Sequence, residues 1–286
     1  GIIKTAVLCW EDKGCAVKMQ MSWHNARLMK IRLGLVLIIA LVFVPRLPAP
    51  PTNFNGSDDF SSYNPANWGT ETSQNGGAFV FSGGVLNFTD SGATNVASTD
   101  AMRPWILNTG SSTADWTVQM DFTVPLASNM VAGQFVAWTI EVSNSADSTD
   151  YFSIGLENAY MGYTNPKASA EIVTDNSTPM PVSMNITSST TATLYLSYIA
   201  STETLAAAFD GGSGLTYLYS IAIGSGANDW NMNSGETFQL SVLAENFANA
   251  GPSVALGAGD MTGDNFLASP TAVPEPASVA LLAGLG

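Results

Sequence analysis

The most informative feature of this 286-residue sequence is where cysteine and histidine are missing. Both cysteines, Cys9 and Cys15, and the single histidine, His24, lie before Met29. The rest of the chain can therefore form no disulfide framework. It also cannot build a Ser-His-Asp or Cys-His nucleophile system, or a zinc site with histidine or cysteine ligands.

Basic residues are almost as scarce after the first 46 positions. Only Arg103 and Lys167 follow, against 21 acidic residues. A region with so few cations cannot neutralise phosphates, so we expect no nucleic-acid partner. Anionic membrane surfaces should repel it too, and we expect membrane contact only transiently, through the two ends of the chain. High negative charge also keeps an exported protein soluble.

The first 50 residues contain an apolar run that is too short to span a bilayer. The run covers residues 33–44, has 12 residues and follows Lys30 and Arg32; a bilayer needs roughly 20. This pattern is typical of a secretory signal peptide, which we predict as a helix at 29–50. A buried core helix and an uncleaved anchor are the alternatives. We interpret residues 1–28 as a non-native upstream extension, with a genuine cytoplasmic segment as the alternative.

Residues 53–268 carry short alternating patterns that favour strands. Trp116–Val124 alternates strictly between apolar and polar residues, which is typical of a half-buried strand. Phe79–Phe88 contains Gly83-Gly84 at its centre and predicts a tight hairpin. Further strands are predicted at 135–142, 151–156, 193–199, 205–209, 215–223 and 238–244. With no helical pattern between them, we predict one all-β domain, an antiparallel sandwich or barrel, with Trp68, Trp116 and Trp138 in its core.

Several segments of this region occur in an order that is found in a known family. They are Asp58-Asp59-Phe60-Ser61, Asn67-Trp68, Gly83-Gly84-Val85-Leu86, residues 192–198, residues 205–211 and Asp264-Asn265-Phe266. The series resembles the concanavalin A-like lectin/glucanase domains. The resemblance implies a jelly-roll sandwich of two curved antiparallel sheets over 53–268, with the closing strand beside the first. That family includes lectins, glycoside hydrolases and structural modules, so the fold leaves the function open.

Two predicted loops offer the chemistry of a sugar-binding site. Such a site needs an aromatic platform and short polar side chains, because sugar rings have apolar faces and hydroxyls that need fixed partners. One loop contains Tyr160 and Tyr163, and the other contains Asn228, Asp229 and Trp230. We predict that these five residues bind carbohydrate. Packing of the aromatic rings under long loops is the alternative.

A possible structural calcium site is predicted near the end of the domain. Asp260 and Asp264 place oxygen ligands at close spacing in a glycine-containing loop, as calcium prefers. The loop is shorter than an EF-hand loop and lacks its final glutamate, so a turn that closes the sandwich is the alternative. No other cofactor is expected.

The acidic residues of the domain lack the spacing of a glycosidase. Glycoside hydrolysis needs two carboxylates roughly 5–9 Å apart, which related glucanases carry on one strand as Glu-x-Asp-x-x-Glu. Nothing around Glu141, Glu157 or Glu171 matches this arrangement. We therefore interpret these acids as solvated surface and predict that the protein is not an enzyme. A polysaccharide hydrolase or lyase on the same fold is the alternative.

The end of the sequence, residues 269–286, carries its most specific motif. Val273-Pro274-Glu275-Pro276 is followed by an apolar segment that runs to Gly286. This pattern resembles the PEP-CTERM sorting signal, although the basic cluster that ends such signals is missing here. The resemblance implies processing by an exosortase-type enzyme in a Gram-negative bacterium that makes exopolysaccharide.

Taken together, these features predict an exported bacterial protein of the cell envelope or extracellular matrix. We expect it to be associated with carbohydrate, exopolysaccharide above all, or to be adhesive. A polysaccharide-degrading enzyme and a structural matrix module without a ligand are the two alternatives.

Overall fold

The fold was analysed in a computed structural model. It describes residues 53–91, 98–159, 165–175, 189–232, 236–248 and 252–271, and the backbone alone of 6–9, 15–18 and 182–185. Residues 1–49 and 50–286 form two separate units. In the first unit, the described residues form one antiparallel pair, β1 (Ala6–Cys9) and β2 (Cys15–Lys18). The predicted signal peptide and the motif at 273–276 lie outside the described residues.

The second unit is built from two antiparallel sheets. The strands of the first sheet are β4 (Thr72–Gln74), β7 (Ser98–Ser111), β9 (Gln134–Asn144), β10 (Tyr151–Asn158), β11 (Lys167–Val173), β12 (Val182–Asn185) and β16 (Thr237–Ala248). Their order across the seven-stranded sheet is β12-β11-β10-β9-β16-β7-β4. Neighbours in the sheet are often distant in the sequence, as in a sandwich with long crossover connections.

The second sheet has eight strands. They are β3 (Gly56–Asp58), β5 (Ala78–Ser82), β6 (Val85–Thr89), β8 (Trp116–Thr123), β13 (Thr191–Ile199), β14 (Thr204–Asp210), β15 (Thr216–Ala222) and β17 (Thr262–Ser269). The order is β15-β14-β13-β8-β17-β6-β5, and β3 pairs with β17. The described part of the chain contains no α-helix, which agrees with the all-β prediction.

The core lies between the two sheets, where the inward side chains of both meet. Trp68, Trp116 and Trp138 are buried there, as predicted. The Trp138 ring lies between two phenylalanines, with ring centroids 5.6 Å from Phe79 and 5.1 Å from Phe122. Because large rings bury much apolar area each, these stacks account for much of the adhesion between the sheets.

The first and last strands of the sandwich are joined as the resemblance implied. In the β3–β17 pair, Asp58 lies opposite Phe266. The Asp58 carboxylate accepts hydrogen bonds from the Phe60 amide at 2.8 Å, the Trp68 indole at 2.9 Å and the Asn67 amide at 3.1 Å. The Asp-Asp-Phe segment therefore has a structural role here: it holds the first buried tryptophan against the closing strand.

The strand predictions are confirmed except for two long strands that the patterns did not reveal. The β5–β6 hairpin turns at Gly83 and Gly84, whose φ angles of 66° and 79° suit glycine. The strands β7 and β11 were missed. In β7, Pro104 interrupts the alternation and argues against a strand with two neighbours. The structure accommodates it beyond the short edge strand β4, whose pairing with β7 stops at Met102.

A buried carboxylate connects the end of β6 to three other segments. Asp90 is 4% exposed. It accepts hydrogen bonds from the Thr99 hydroxyl, from Asn246 Nδ2 at 2.7 Å and from Ser253 Oγ at 2.9 Å. We call these four residues the Asp90 cluster. Because a buried charge is costly without donors, the cluster stabilises this fold only as a complete set.

Candidate functional site

The outward side of the seven-stranded sheet carries a group of acidic residues. Successive residues of a strand point to opposite sides of the sheet. On β9, Ile140 and Val142 are buried in the core, so Glu141 between them points away from it. The same alternation applies to the neighbouring strands. We call this surface the glutamate face; its carboxylates are Asp100, Glu141, Glu157, Glu171 and Glu245.

The strand register places these carboxylates in two pairs. Glu141 and Glu171 both lie opposite Ser153 on the strand between them. Glu157 and Glu245 both lie opposite Ala137. Members of a pair are two strands apart, so their Cα atoms are separated by roughly 10 Å. In each pair, the residue that lies between the two carboxylates on the middle strand is small: Ser153 in one pair and Ala137 in the other.

Few hydrogen-bond donors serve these acids. Glu171 accepts the Tyr151 hydroxyl at 2.6 Å, and Glu245 accepts the Ser98 hydroxyl at 3.1 Å. Glu157 accepts a hydrogen bond from the Ser169 hydroxyl on β11. Among the described residues, Glu141 has no hydrogen-bond partner. The face is thus less completely paired than the Asp90 cluster.

The surroundings raise the pKa of four of the five carboxyl groups. Burial, and then the nearby charge of Glu171, raise the pKa of Glu141 from 4.5 to about 7. Burial is also the main cause that raises the pKa of Glu157, Glu245 and Asp100. For Glu157, the serine hydrogen bond and Lys167 offset part of that rise. Perturbed carboxyls gathered on one surface are a common mark of functional sites.

An open cavity and an aromatic pair lie on the same face. The cavity has a volume of about 350 Å³, and its lining includes Asp100, Thr139 and Glu245. At one end of β9 and β16, the rings of Phe135 and Phe247 lie 4.9 Å apart and are both half-buried. The face therefore offers apolar rings, hydroxyls and carboxylates together.

This face corrects one sequence prediction. Glu141, Glu157 and Glu171 are half-buried and share one surface, so the interpretation as separate solvated acids is wrong. No short motif could reveal the grouping, because the five carboxylates come from five strands. The sequence gives only a weak indication of the glutamate face, because each of the five strands contributes one acid among its outward-facing residues.

The predicted sugar-binding residues lie in two places. Tyr160 and Tyr163 lie outside the described residues; the segment that contains them starts where β10 ends. Trp230 is described and is only 2% exposed. Its indole donates to Thr174 Oγ1 at 3.1 Å. Trp230 thus packs in the core in this structure and offers no open ring face, because the loop folds it inward.

The other two predicted loop residues are more accessible. Asn228 lies in a short 3-10 turn, and Asp229 follows it. Asp229 lines an open cavity of about 260 Å³ together with Glu203 and Asn231. The Asp229 carboxylate accepts the Asn231 amide at 2.8 Å, which fixes the turn. The prediction that Asn228 and Asp229 bind carbohydrate therefore stays a prediction.

Three aspartates near this loop could hold a metal ion. One ligand atom each of Asp147, Asp150 and Asp175 lies within 4.8 Å of the others. Asp150 is buried, and its carboxylate accepts the Asp175 amide at 2.8 Å. Carboxylate oxygens at this spacing suit a hard cation. We call these residues the aspartate triad.

Of the two predicted calcium ligands, Asp264 lies on β17 of the other sheet and Asp260 lies in the turn before that strand. Asp260 accepts the Gly257 amide at 2.8 Å, and Asp264 accepts the Asn265 amide at 2.7 Å. Asp264 also lines an open cavity of about 460 Å³ on the outward side of that sheet. Within the described residues, the aspartate triad is the group of three acids whose ligand atoms come close enough to share a metal ion.

Comparisons with known proteins show the fold. No protein-family model matches the chain, and no curated protein sequence matches it. The CBM2 module of the evolved Dit protein of Lactobacillus casei BL23 phage J-1 has a TM-score of 0.52 at 12% identity, covering 79% of this chain and 99% of that one. The endo-1,3-beta-glucanase from Streptomyces sioyaensis has a TM-score of 0.51 at 16% identity, again covering 79% and 99%.

A third solved structure is the exoplasmic/lumenal domain of VIP36, in a form bound to Ca²⁺ and Man3GlcNAc. Its TM-score is 0.46 at 12% identity, and the match covers 80% of this chain and 94% of that one. At such identities the likeness concerns the fold alone. The second unit is a concanavalin A-like β-sandwich, a fold that it shares with this carbohydrate-binding module and this glucanase. Among the described residues, no helix is long and apolar enough to cross a membrane.

Proposed function

We propose that this protein binds carbohydrate without modifying it, and that the glycan lies on the glutamate face. The observation that carries the proposal is the combination of half-buried carboxylates with the Phe135–Phe247 pair on one sheet surface. Sugar hydroxyls need fixed acceptors and donors, and sugar rings pack against aromatic side chains. Half-buried carboxylates with few partners of their own supply such acceptors.

We further propose that the protein is exported and acts in the cell envelope or extracellular matrix of a Gram-negative bacterium. The short apolar run behind a basic start supports export. The Pro-Glu-Pro tail supports processing by an exosortase-type enzyme, and exopolysaccharide is the expected glycan. In this setting a stable β-sandwich with high negative charge stays soluble.

Binding of the full chain to a glycan array tests the carbohydrate proposal. We expect binding that is lost in a Glu157→Gln, Glu245→Gln double variant, because glutamine keeps the shape but not the charge. Asp229→Asn is the matched control for the loop site, and it should bind as the parent does. Loss of binding in Asp229→Asn alone would move the site to the loop. If no glycan binds, the structural module without a ligand is favoured.

Glycoside hydrolysis is the second candidate, and one feature favours it. Glu141 and Glu171 face each other across Ser153, and the raised pKa of Glu141 suits a proton donor. Inverting enzymes hold their two carboxyl groups about 6.5–9.5 Å apart, and glutamate side chains on Cα atoms roughly 10 Å apart can reach that separation. Release of reducing sugar from β-glucans by the parent, but not by Glu141→Gln, would establish this activity.

A further inference from the structure

The glutamate face has a strong imbalance of charge. It carries the five carboxylates named above, and Lys167 is its only cation among the described residues. Lys167 lies opposite Glu157 in the β10–β11 pair, at one edge of the group. The other basic residue of the domain, Arg103, is committed elsewhere: its guanidinium lies 2.8 Å from the Glu71 carboxylate and over the Tyr63 ring. The protein itself therefore neutralises little of this surface.

The strand register places a small residue between two of the acids. Glu157 and Glu245 flank Ala137. Phe135 lies two residues from Ala137 on β9, and Phe247 lies two residues from Glu245 on β16. A pyranose ring stacked on the phenylalanines would bring its substituents next to both carboxylates. Ala137 is small and 7% exposed, and the open cavity of about 350 Å³ that Glu245 and Thr139 line lies next to it on the same face.

Charge then selects among the glycans that could occupy this face. A uronate polymer would bring carboxylates against carboxylates, which costs binding energy in a half-buried site. A neutral sugar would leave the acids without counter-charge. A sugar with free amino groups would pair its ammonium groups with them through charge-assisted hydrogen bonds.

We propose that the ligand of the glutamate face is a cationic glycan with free amino sugars, held between Glu157 and Glu245 and stacked on Phe135 and Phe247. This inference rests on the proposed carbohydrate function and deepens it by naming the ligand class. Complementary charge would steer the polymer to the face and set its preference.

Three β-1,4-linked hexasaccharides test the proposal against the full chain by calorimetry at neutral pH. They are the glucosamine, N-acetylglucosamine and mannuronate hexamers, which carry positive, zero and negative charge. We expect the glucosamine hexamer to bind at least about tenfold more tightly than the N-acetylglucosamine hexamer, and its affinity to fall as salt rises. The mannuronate hexamer should not bind.

Variants locate the effect. The Glu157→Gln, Glu245→Gln double variant should lose the preference for the glucosamine hexamer, whereas Glu203→Gln, an exposed acid away from the face, should keep it. Thermal melting of each variant shows that it is folded. Equal binding of the glucosamine and N-acetylglucosamine hexamers overturns the cationic preference but leaves carbohydrate binding intact. Preference for the mannuronate hexamer overturns the inference. If none of the three hexamers binds, both carbohydrate binding and the cationic preference are rejected for β-1,4-linked glycans.

Discussion

The Asp90 cluster and the glutamate face show two ways of placing acids in one sandwich. Asp90 is buried and accepts hydrogen bonds from three side chains, Thr99, Asn246 and Ser253. Glu141 is half-buried, has no hydrogen-bond partner among the described residues and lies near a second carboxylate. The hydrogen bonds of Asp90 come from the protein itself, whereas we propose that those of the glutamate face are completed by a ligand.

This difference distinguishes structural acids from functional ones. Folding favours a buried carboxylate when its donors are built in, as at Asp90. Half-buried carboxylates that raise each other's pKa destabilise the folded state instead. A protein that keeps four carboxyl groups with raised pKa on one surface gains nothing in stability, so a binding role is the better explanation.

Removing the buried carboxylate should have the largest effect. Asp90→Ala removes the shared acceptor of three buried side chains from the core, and we expect the free energy of unfolding to fall by roughly 3–5 kcal/mol. Urea denaturation measures the loss. Asp59→Asn is the matched control, because Asp59 is exposed and its hydrogen bond from the Ser61 amide, at 3.0 Å, lies at the surface; it should change stability by less than about 1 kcal/mol. If both variants lowered the free energy of unfolding equally, the buried Asp90 cluster would contribute no more to stability than an exposed acid.

Neutralising an acid of the glutamate face should do the opposite. The folded-state pKa of Glu141 is raised from 4.5 to about 7. Between these values the unfolded chain ionises while the folded protein stays protonated, so stability is lost as pH rises. Glu141→Gln should therefore stabilise the protein at pH 8 by between about 1 and 3 kcal/mol and leave it unchanged at pH 4. Destabilisation at pH 8 would show that Glu141 is paired like Asp90.

The aspartate triad should give a smaller effect that depends on metal. If Asp147, Asp150 and Asp175 hold calcium, adding the ion should raise the melting temperature by a few degrees, because a ligand of the native state stabilises it. A chelator should reverse the shift. Asp147→Asn should abolish the response if the triad binds the ion, and Asp260→Asn should abolish it if the loop predicted from the sequence does. A melting temperature indifferent to calcium removes the metal from both places.

The sequence predicted the sandwich better than the site. Strict alternation at Trp116–Val124 and the Gly83-Gly84 turn are local patterns, and the structure confirms both. The strand β7 was not predicted because Pro104 contradicts the local pattern. Pro104 is tolerated because the pairing of β4 with β7 ends at Met102. The glutamate face was not predicted for a related reason. Strand register, which is a property of the whole sheet, brings Glu157 and Glu245 together.

The loop prediction failed at Trp230 for a different reason. An aromatic residue among asparagines and aspartates suits an open sugar platform, but it equally suits a loop that packs its ring inward. Sequence spacing does not distinguish the two cases, whereas the hydrogen bond from Trp230 to Thr174 does. Asn228 and Asp229 stay on the accessible side of the same turn.

A carbon-13 NMR titration of the glutamate carboxyl groups in the full chain shows whether the glutamate face binds the ligand. The resonances of Glu157 and Glu245 can be assigned with their Gln variants. We expect both groups to titrate above the usual glutamate range, and the glucosamine hexamer to lower both midpoints, because a nearby positive charge favours the ionised form. Ordinary midpoints that do not move when the hexamer binds would contradict the claim that the glutamate face is the ligand site.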